Sequence, residues 1–252
     1  MKINSITLIF LIVWSIAISQ PKQQVNSISW DIIGYIQYER SEILDTVDVT
    51  SQFLNLNFAP LLINEQRNRL GYIGANYQRF YINFSSVIKD HKDPALYHVK
   101  GKTQVKDNIC DFSGKLEIIG IRRWLKTDRC ENPVQPLVEA VTFFIYTFQE
   151  NPKQKFAGIF NGYAMAQWYL DSLKGVRYDD LWNCSDGFSN NQFVGNWKNL
   201  ASGQYKHCNW GDYRIPYSDD LDNGVGEFYP NEKYLKYGWS TYDTEDTTTW
   251  WK

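Results

Sequence analysis

The chain has 252 residues, of which 43% are hydrophobic and 21% are charged, and it contains only 8 prolines. This balance excludes a disordered, collagen-like or coiled-coil protein and leaves enough apolar residues for a sizeable core. Lysine and arginine number 26 against 28 aspartates and glutamates, a net charge of −2, and no basic block stands out. We therefore expect no nucleic-acid partner, because such binding depends on concentrated positive charge.

Residues 1–19 have the order of features of a signal peptide. A positive start at Lys2 is followed by an apolar run over 6–18 and by small residues at Ala17 and Ser19, the two positions that a signal peptidase reads. The run is shorter than the roughly 20 apolar residues that a transmembrane helix needs. We therefore expect a secreted or periplasmic protein with no transmembrane anchor.

The remaining chain predicts a short leader and one domain. Residues 20–29 are polar and indicate a leader, and a single β-rich domain is expected over 30–252. The best helical candidate is the stretch 59–71. Pro60 stands at its first helical position and Gly71 just past its end, which are the positions that these residues favour.

Strand patterns fill the middle of the chain. Aromatic and β-branched residues are concentrated in 72–88 and 138–148, and apolar and polar residues alternate through 97–106. Residues 111–114 are of the types that favour turns. They predict a hairpin between the 97–106 strand and a second strand over 116–124.

The longest alternation lies in 156–170, where Phe156, Phe160 and Trp168 share one face with several glycines and alanines. Small residues on that face predict a strand that curves closely around its neighbours. After residue 174, glycines divide the chain into short segments. We expect an all-β fold, a single antiparallel sandwich or barrel-like domain with long C-terminal loops and little helix. The three aromatic residues either line an apolar cavity or fill the core.

Four cysteines, Cys110, Cys130, Cys184 and Cys208, include no C-x-x-C pair. In an exported protein their even number favours disulfides over a metal site. Three pairings are possible. We expect the two that are local in sequence, Cys110 with Cys130 and Cys184 with Cys208, because each would join neighbouring β elements. The alternative is that one or both pairs are buried free thiols.

Three C-terminal stretches carry a family resemblance: 190–197 (NNQFVGNW), 208–216 (CNWGDYRIP) and 224–230 (GVGEFYP). Together with 77–82 and 101–112, they resemble a family of secreted bacterial all-β proteins to which we can assign no activity. The resemblance covers most of the mature chain. It implies one domain and no particular chemistry.

Candidate ligand-binding residues occur together in these C-terminal stretches, where aromatic, acidic and basic side chains are dense. They are Trp197, Trp210, Asp212, Tyr213, Arg214, Asp222 and Glu227. Flat rings with polar neighbours are suited to stacking on a ligand. We expect a non-enzymatic binding protein of the cell envelope or extracellular space. Its partner would be a glycan, a small apolar ligand or another exported protein.

Two alternatives use the same residues. Paired carboxylates among Asp212, Asp222 and Glu227 would suit a glycan hydrolase, although acids in such loops also form turns. A structural or interaction role in the envelope is the other alternative. No metal is expected: aligning Gly224 with the glycine of a calcium loop puts Leu221 at a ligand position, which leaves only an irregular calcium site as an alternative. No cofactor motif is present in the sequence, and we expect no cofactor.

Overall fold

The computed structural model describes residues 43–63, 69–126, 130, 134–242 and 250–252. The predicted signal peptide, 1–19, and leader, 20–29, lie outside these residues. The strands are β1 (Ile43–Leu44), β2 (Arg69–Ile73), β3 (Gln78–Arg79), β4 (Tyr81–Lys89), β5 (Leu96–Val105), β6 (Asn108–Lys126), β7 (Val138–Glu150), β8 (Gly158–Leu170), β9 (Val176–Tyr178), β10 (Asn190–Asn199) and β11 (Tyr205–Asp212). The helices are α1 (Thr50–Phe53), α2 (Ala59–Leu62) and two 3₁₀-helices, Asp219–Leu221 and Glu232–Tyr237.

The strands form one antiparallel sheet that curls into a half-barrel. Its order is β3-β2-β11-β10-β8-β7-β6-β5-β4, with β1 beside β6 and β9 beside β8. The strands at the two ends of this order, β3 and β4, are separated in the chain only by Phe80, whose backbone N–H donates to the Gly71 carbonyl of β2 at 2.9 Å. The prediction of an all-β, barrel-like domain with little helix is confirmed.

The main core lies on the concave face of the sheet, whereas β2, β10 and β11 are buried on both faces over much of their length. In β8, Phe160, Ala164 and Trp168 face inward. The Trp168 ring packs against Phe53 of α1 at a centroid distance of 5.4 Å. The alternation predicted for this strand is confirmed, except that Phe156 precedes the strand and is 72% exposed.

The turn expected at 111–114 is wrong, since these residues lie inside β6. The chain turns instead at Lys106 and Asp107, where Lys106 adopts a left-handed φ of 52°. Phe112 faces the core while its two neighbours are exposed. The residue types that favour turns occupy mainly the outward positions of an alternating strand, where solvent tolerates them.

The helix predicted over 59–71 is confirmed only at its start. Pro60 lies in the first turn of α2, but this helix ends at Leu62, and β2 begins at Arg69. Gly71 pairs with β11, and a Cβ at this position would lie 2.9 Å from the Trp210 Cβ. The glycine serves close contact between strands rather than a helix end, because sheet pairing overrides the local preference.

The disulfide joins Cys130 and Cys184, and the expected local pairing is wrong. Cys110 and Cys208 are buried free thiols in β6 and β11. The geometry of β6 explains the difference. From Cys110 to Lys126 the strand has a contour length of about 50 Å, so Cys130 lies near the opposite end of the strand from Cys110.

The helices within the described ranges are short, and the longest has six residues. None of these described helices has the length and apolar character of a membrane span.

Candidate binding site

An open cavity of about 1180 Å³ occupies one end of the half-barrel. The β2–β3, β5–β6 and β10–β11 turns supply its rim, and the inner faces of the strands supply its wall. Its aromatic residues are Phe156, Phe160, Trp197, Tyr205 and Tyr237. Of the three aromatic residues considered as cavity lining from the sequence, Phe156 and Phe160 line this cavity and Trp168 lies in the core.

One carboxyl group of the wall, that of Glu150, is buried. Glu150 ends β7 and is 5% exposed. Its Oε1 accepts a hydrogen bond from the Thr103 hydroxyl of β5. Its Oε2 accepts from the Gly158 backbone N–H at 2.7 Å and from the Trp197 Nε1–H at 3.0 Å. Residues of β5, β8 and β10 therefore hold the carboxyl group in one orientation.

Gly158 makes this arrangement possible because it has no side chain to keep Trp197 away. A Cβ at this position would lie 2.1 Å from Trp197 Nε1, well inside contact distance. The missing side chain lets the Trp197 indole lie against β8 and direct its N–H at Glu150. One of the small residues predicted to let β8 pack closely thus positions a group of the cavity wall.

Burial raises the pKa of Glu150 above its ordinary value of 4.5, while the three hydrogen bonds favour the ionised form and oppose the rise. Burial also raises the pKa of the Cys110 and Cys208 thiols, and the charge of Glu150 raises both further. Both cysteines are therefore neutral thiols at neutral pH rather than reactive thiolates.

Glu150 and Thr103 are absent from the site predicted by sequence, although a signal for Glu150 exists. Phe144, Tyr146 and Phe148 occupy alternate, inward positions of β7, and Glu150 is the next residue in that series. An acid that continues a buried apolar face is unusual, because burying a charge is costly. This departure from the alternation marks the residue as a candidate.

The seven predicted binding residues do not converge on one surface. Trp197 lies at the cavity. Trp210 is fully buried in the core, where its ring stacks on Phe193 at a centroid distance of 4.8 Å. It presents no exposed face on which a ligand could stack.

Asp212 lies at the other end of β11 from the cavity rim, about 24 Å along the strand from Tyr205. It is fully buried. Its Oδ1 accepts from Arg69 Nε at 2.9 Å, and its Oδ2 accepts from Asn191 Nδ2 at 2.6 Å and from the Tyr178 hydroxyl at 3.3 Å. This network joins the ends of four strands.

The remaining predicted residues belong to the C-terminal loops. Arg214 donates to Asp222 at 2.6 Å and to three backbone carbonyls of residues 224–226, so its guanidinium organises a loop. Tyr213 packs on Phe188 at 5.0 Å and is 38% exposed. Glu227 is exposed on the same loop.

In the described ranges, no three His, Cys, Asp or Glu side chains lie close enough together to hold a metal ion. Comparison with protein-family models, with curated proteins and with solved structures finds no match for this chain.

Proposed function

We propose that this protein is an exported, non-enzymatic binding protein that takes a small, largely apolar ligand into the cavity of the half-barrel. The observation that carries the proposal is the cavity itself. A volume of about 1180 Å³ lies close to the range of small-molecule sites, and most of the surface that lines the cavity is apolar, as is typical of such sites.

The rim of the cavity supports this function. Phe156 and Tyr205 line the cavity and are 72% and 64% exposed. Phe156 also has a φ of 57°, a left-handed conformation that is unfavourable for an aromatic residue. A ligand that covers the Phe156 ring would explain both the backbone strain and the exposed apolar area at this residue.

Export is supported by the covalent bond between Cys130 and Cys184. Structural disulfides persist in oxidising compartments and are rare in the cytosol. The bond agrees with the signal peptide that the first 19 residues predict.

The alternatives receive less support from the positions of their residues. Asp212 and Asp222 each bind an arginine, and Glu227 is exposed on a loop. Trp210 is fully buried. These positions favour binding over hydrolysis by paired acids, and an enclosed apolar ligand over a glycan stacked on surface rings.

The test is titration with N-phenyl-1-naphthylamine, an uncharged probe whose fluorescence rises in apolar surroundings. We expect saturable binding of one probe per chain. Phe156→Ala and Tyr205→Ala should each raise the Kd about tenfold, since covering a ring contributes about 1.5 kcal/mol. Because both rings are largely exposed, the Tm should change by no more than a few degrees.

Tyr229→Ala is the matched control. Tyr229 is 57% exposed and lies outside the cavity, so its removal should leave the Kd unchanged. Absence of saturable binding, or equal weakening by Tyr229→Ala and Tyr205→Ala, would contradict the proposal.

A further inference from the structure

The buried carboxyl group of Glu150 is unusual in what surrounds it. Its three hydrogen-bond donors, from Thr103, Gly158 and Trp197, are all neutral. Among the described residues, no Lys, Arg or His nitrogen lies within 4.0 Å of this carboxyl group. The buried Asp212, by contrast, has Arg69 at 2.9 Å.

Hydrogen bonding leaves one acceptor position open on Glu150. A carboxylate has about four lone-pair positions, two on each oxygen. Oε2 accepts two hydrogen bonds, whereas Oε1 accepts one, from Thr103. Glu150 lines the cavity, so a group that enters the cavity is a candidate for the fourth position.

The fold does not require the negative charge at this position. A glutamine amide oxygen would accept from Gly158 and Trp197, and its NH₂ group would donate to the Thr103 hydroxyl oxygen. The same contacts would then form without the cost of burying a charge. Lys106, Lys206 and His207 line the same cavity, but none of them lies within ion-pair distance of the acid. The presence of an acid therefore points to a positive group that binds beside it.

We infer that the ligand carries a protonated amine, which pairs with the Glu150 carboxylate while its apolar part lies against the aromatic wall. This inference rests on the proposed function and names the ligand class. An ammonium group supplies both the charge and the N–H donor that the open position on Oε1 accepts. A ligand carboxylate at the same place would meet a like charge and bind less well.

The experiment displaces N-phenyl-1-naphthylamine from the full mature chain with decylamine, decanol and decanoate, which share a chain length and differ in head group. We expect decylamine to compete best and decanoate worst, with decylamine at least about tenfold better than decanol. Glu150→Gln should remove the preference of decylamine over decanol.

Two further variants separate the carboxylate from its surroundings. Asp107→Asn removes an exposed acid that also lines the cavity, and it should preserve the amine preference. Thr103→Val removes one of the three donors that favour the ionised form of Glu150, so it should reduce the amine preference without abolishing it.

The outcomes distinguish the two proposals. If the probe binds but decylamine and decanol compete equally, or decanoate competes best, the inference is wrong while the binding function stands. If the probe does not bind the wild-type chain, the binding function itself fails. The wild-type ligand series decides the point even if Glu150→Gln does not fold.

Discussion

Glu150 is an ionisable side chain on a mostly apolar strand face, and its environment links protonation to stability. Its pKa in the folded protein is raised above 4.5, so the folded state binds this proton more tightly than the unfolded chain does. The stability linked to protonation is therefore complete below about pH 4.5 and is lost as the pH rises through the folded pKa. Above that pKa, the contribution of Glu150 to the free energy of unfolding no longer varies with pH.

The prediction at this scale is that Glu150→Gln removes this loss of stability. Between pH 4 and pH 8 the variant should gain in free energy of unfolding relative to the wild type, and the gain should level off at the upper end. Urea denaturation across that range measures it. Cys110 and Cys208 stay protonated in this window because burial raises their pKa values. The exposed Glu227→Gln is the control, and an equal slope in both variants would contradict the prediction.

At the scale of elements, the loop after β11 is organised from within. Arg214 lies 14% exposed, bonded to Asp222 and to backbone carbonyls of 224–226. Asp222 in turn accepts from the backbone N–H groups of Gly224 and Tyr229. Arg214 and Asp222, which made this loop a candidate binding surface, therefore use these hydrogen bonds to stabilise the conformation of the loop.

We therefore predict that Arg214→Ala destabilises the protein by about 3 kcal/mol, because it leaves Asp222 without its partner in a half-buried setting. Arg177→Ala is the matched control. Its ion pair with Asp171 measures 2.7 Å, close to the 2.6 Å of the Arg214 pair, but the arginine side chain is 55% exposed, so the loss should be much smaller. Chemical denaturation of both variants measures the difference. Equal losses would show that burial of the Arg214 pair adds nothing.

At the scale of the whole molecule, the Cys130–Cys184 bond joins parts of the chain that are 54 residues apart. It links the segment after β6 to the connection between β9 and β10. In the chain-entropy description, closing a loop of this size stabilises the folded state by about 4 kcal/mol.

Thiol titration tests this arrangement. The native protein should react at no cysteine, the denatured unreduced protein at two, and the reduced denatured protein at four, because Cys110 and Cys208 are buried free thiols. Peptide mapping should link Cys130 with Cys184. If no thiol reacts in the denatured, unreduced protein, the result would indicate a second disulfide and contradict the prediction.

Alternation of apolar and polar residues was sufficient to predict several strands. The alternating stretches 97–106 and 156–170 largely coincide with strands, although Phe156 precedes its strand. The stretch 138–148 is also a strand, as its β-branched and aromatic residues predicted. These signals are local, because successive side chains of a strand point to opposite faces regardless of its neighbours. The turn at 111–114 was wrong for a related reason. Residue types that favour turns also occur on the solvent-exposed face of a strand.

The candidate site was predicted only in part, as Phe156, Phe160 and Trp197 show. Phe156 and Phe160 belong to a stretch predicted to be a strand, Trp197 is a predicted binding residue, and all three line the cavity. Glu150 continues the alternation of β7, but its role depends on Thr103 and Trp197, which lie on strands distant in sequence. No local pattern shows which strands become neighbours.

The sequence by itself determined the all-β class and the faces of the main strands, because these follow from residue periodicity within single elements. Only the tertiary structure decided that Cys130 pairs with Cys184, that Trp210 is buried, and that Glu150 meets three neutral donors at a cavity. The physical reason is that covalent pairing, burial and site geometry depend on which distant segments the curled sheet brings together. That arrangement is a property of the whole sheet and not of any stretch of it.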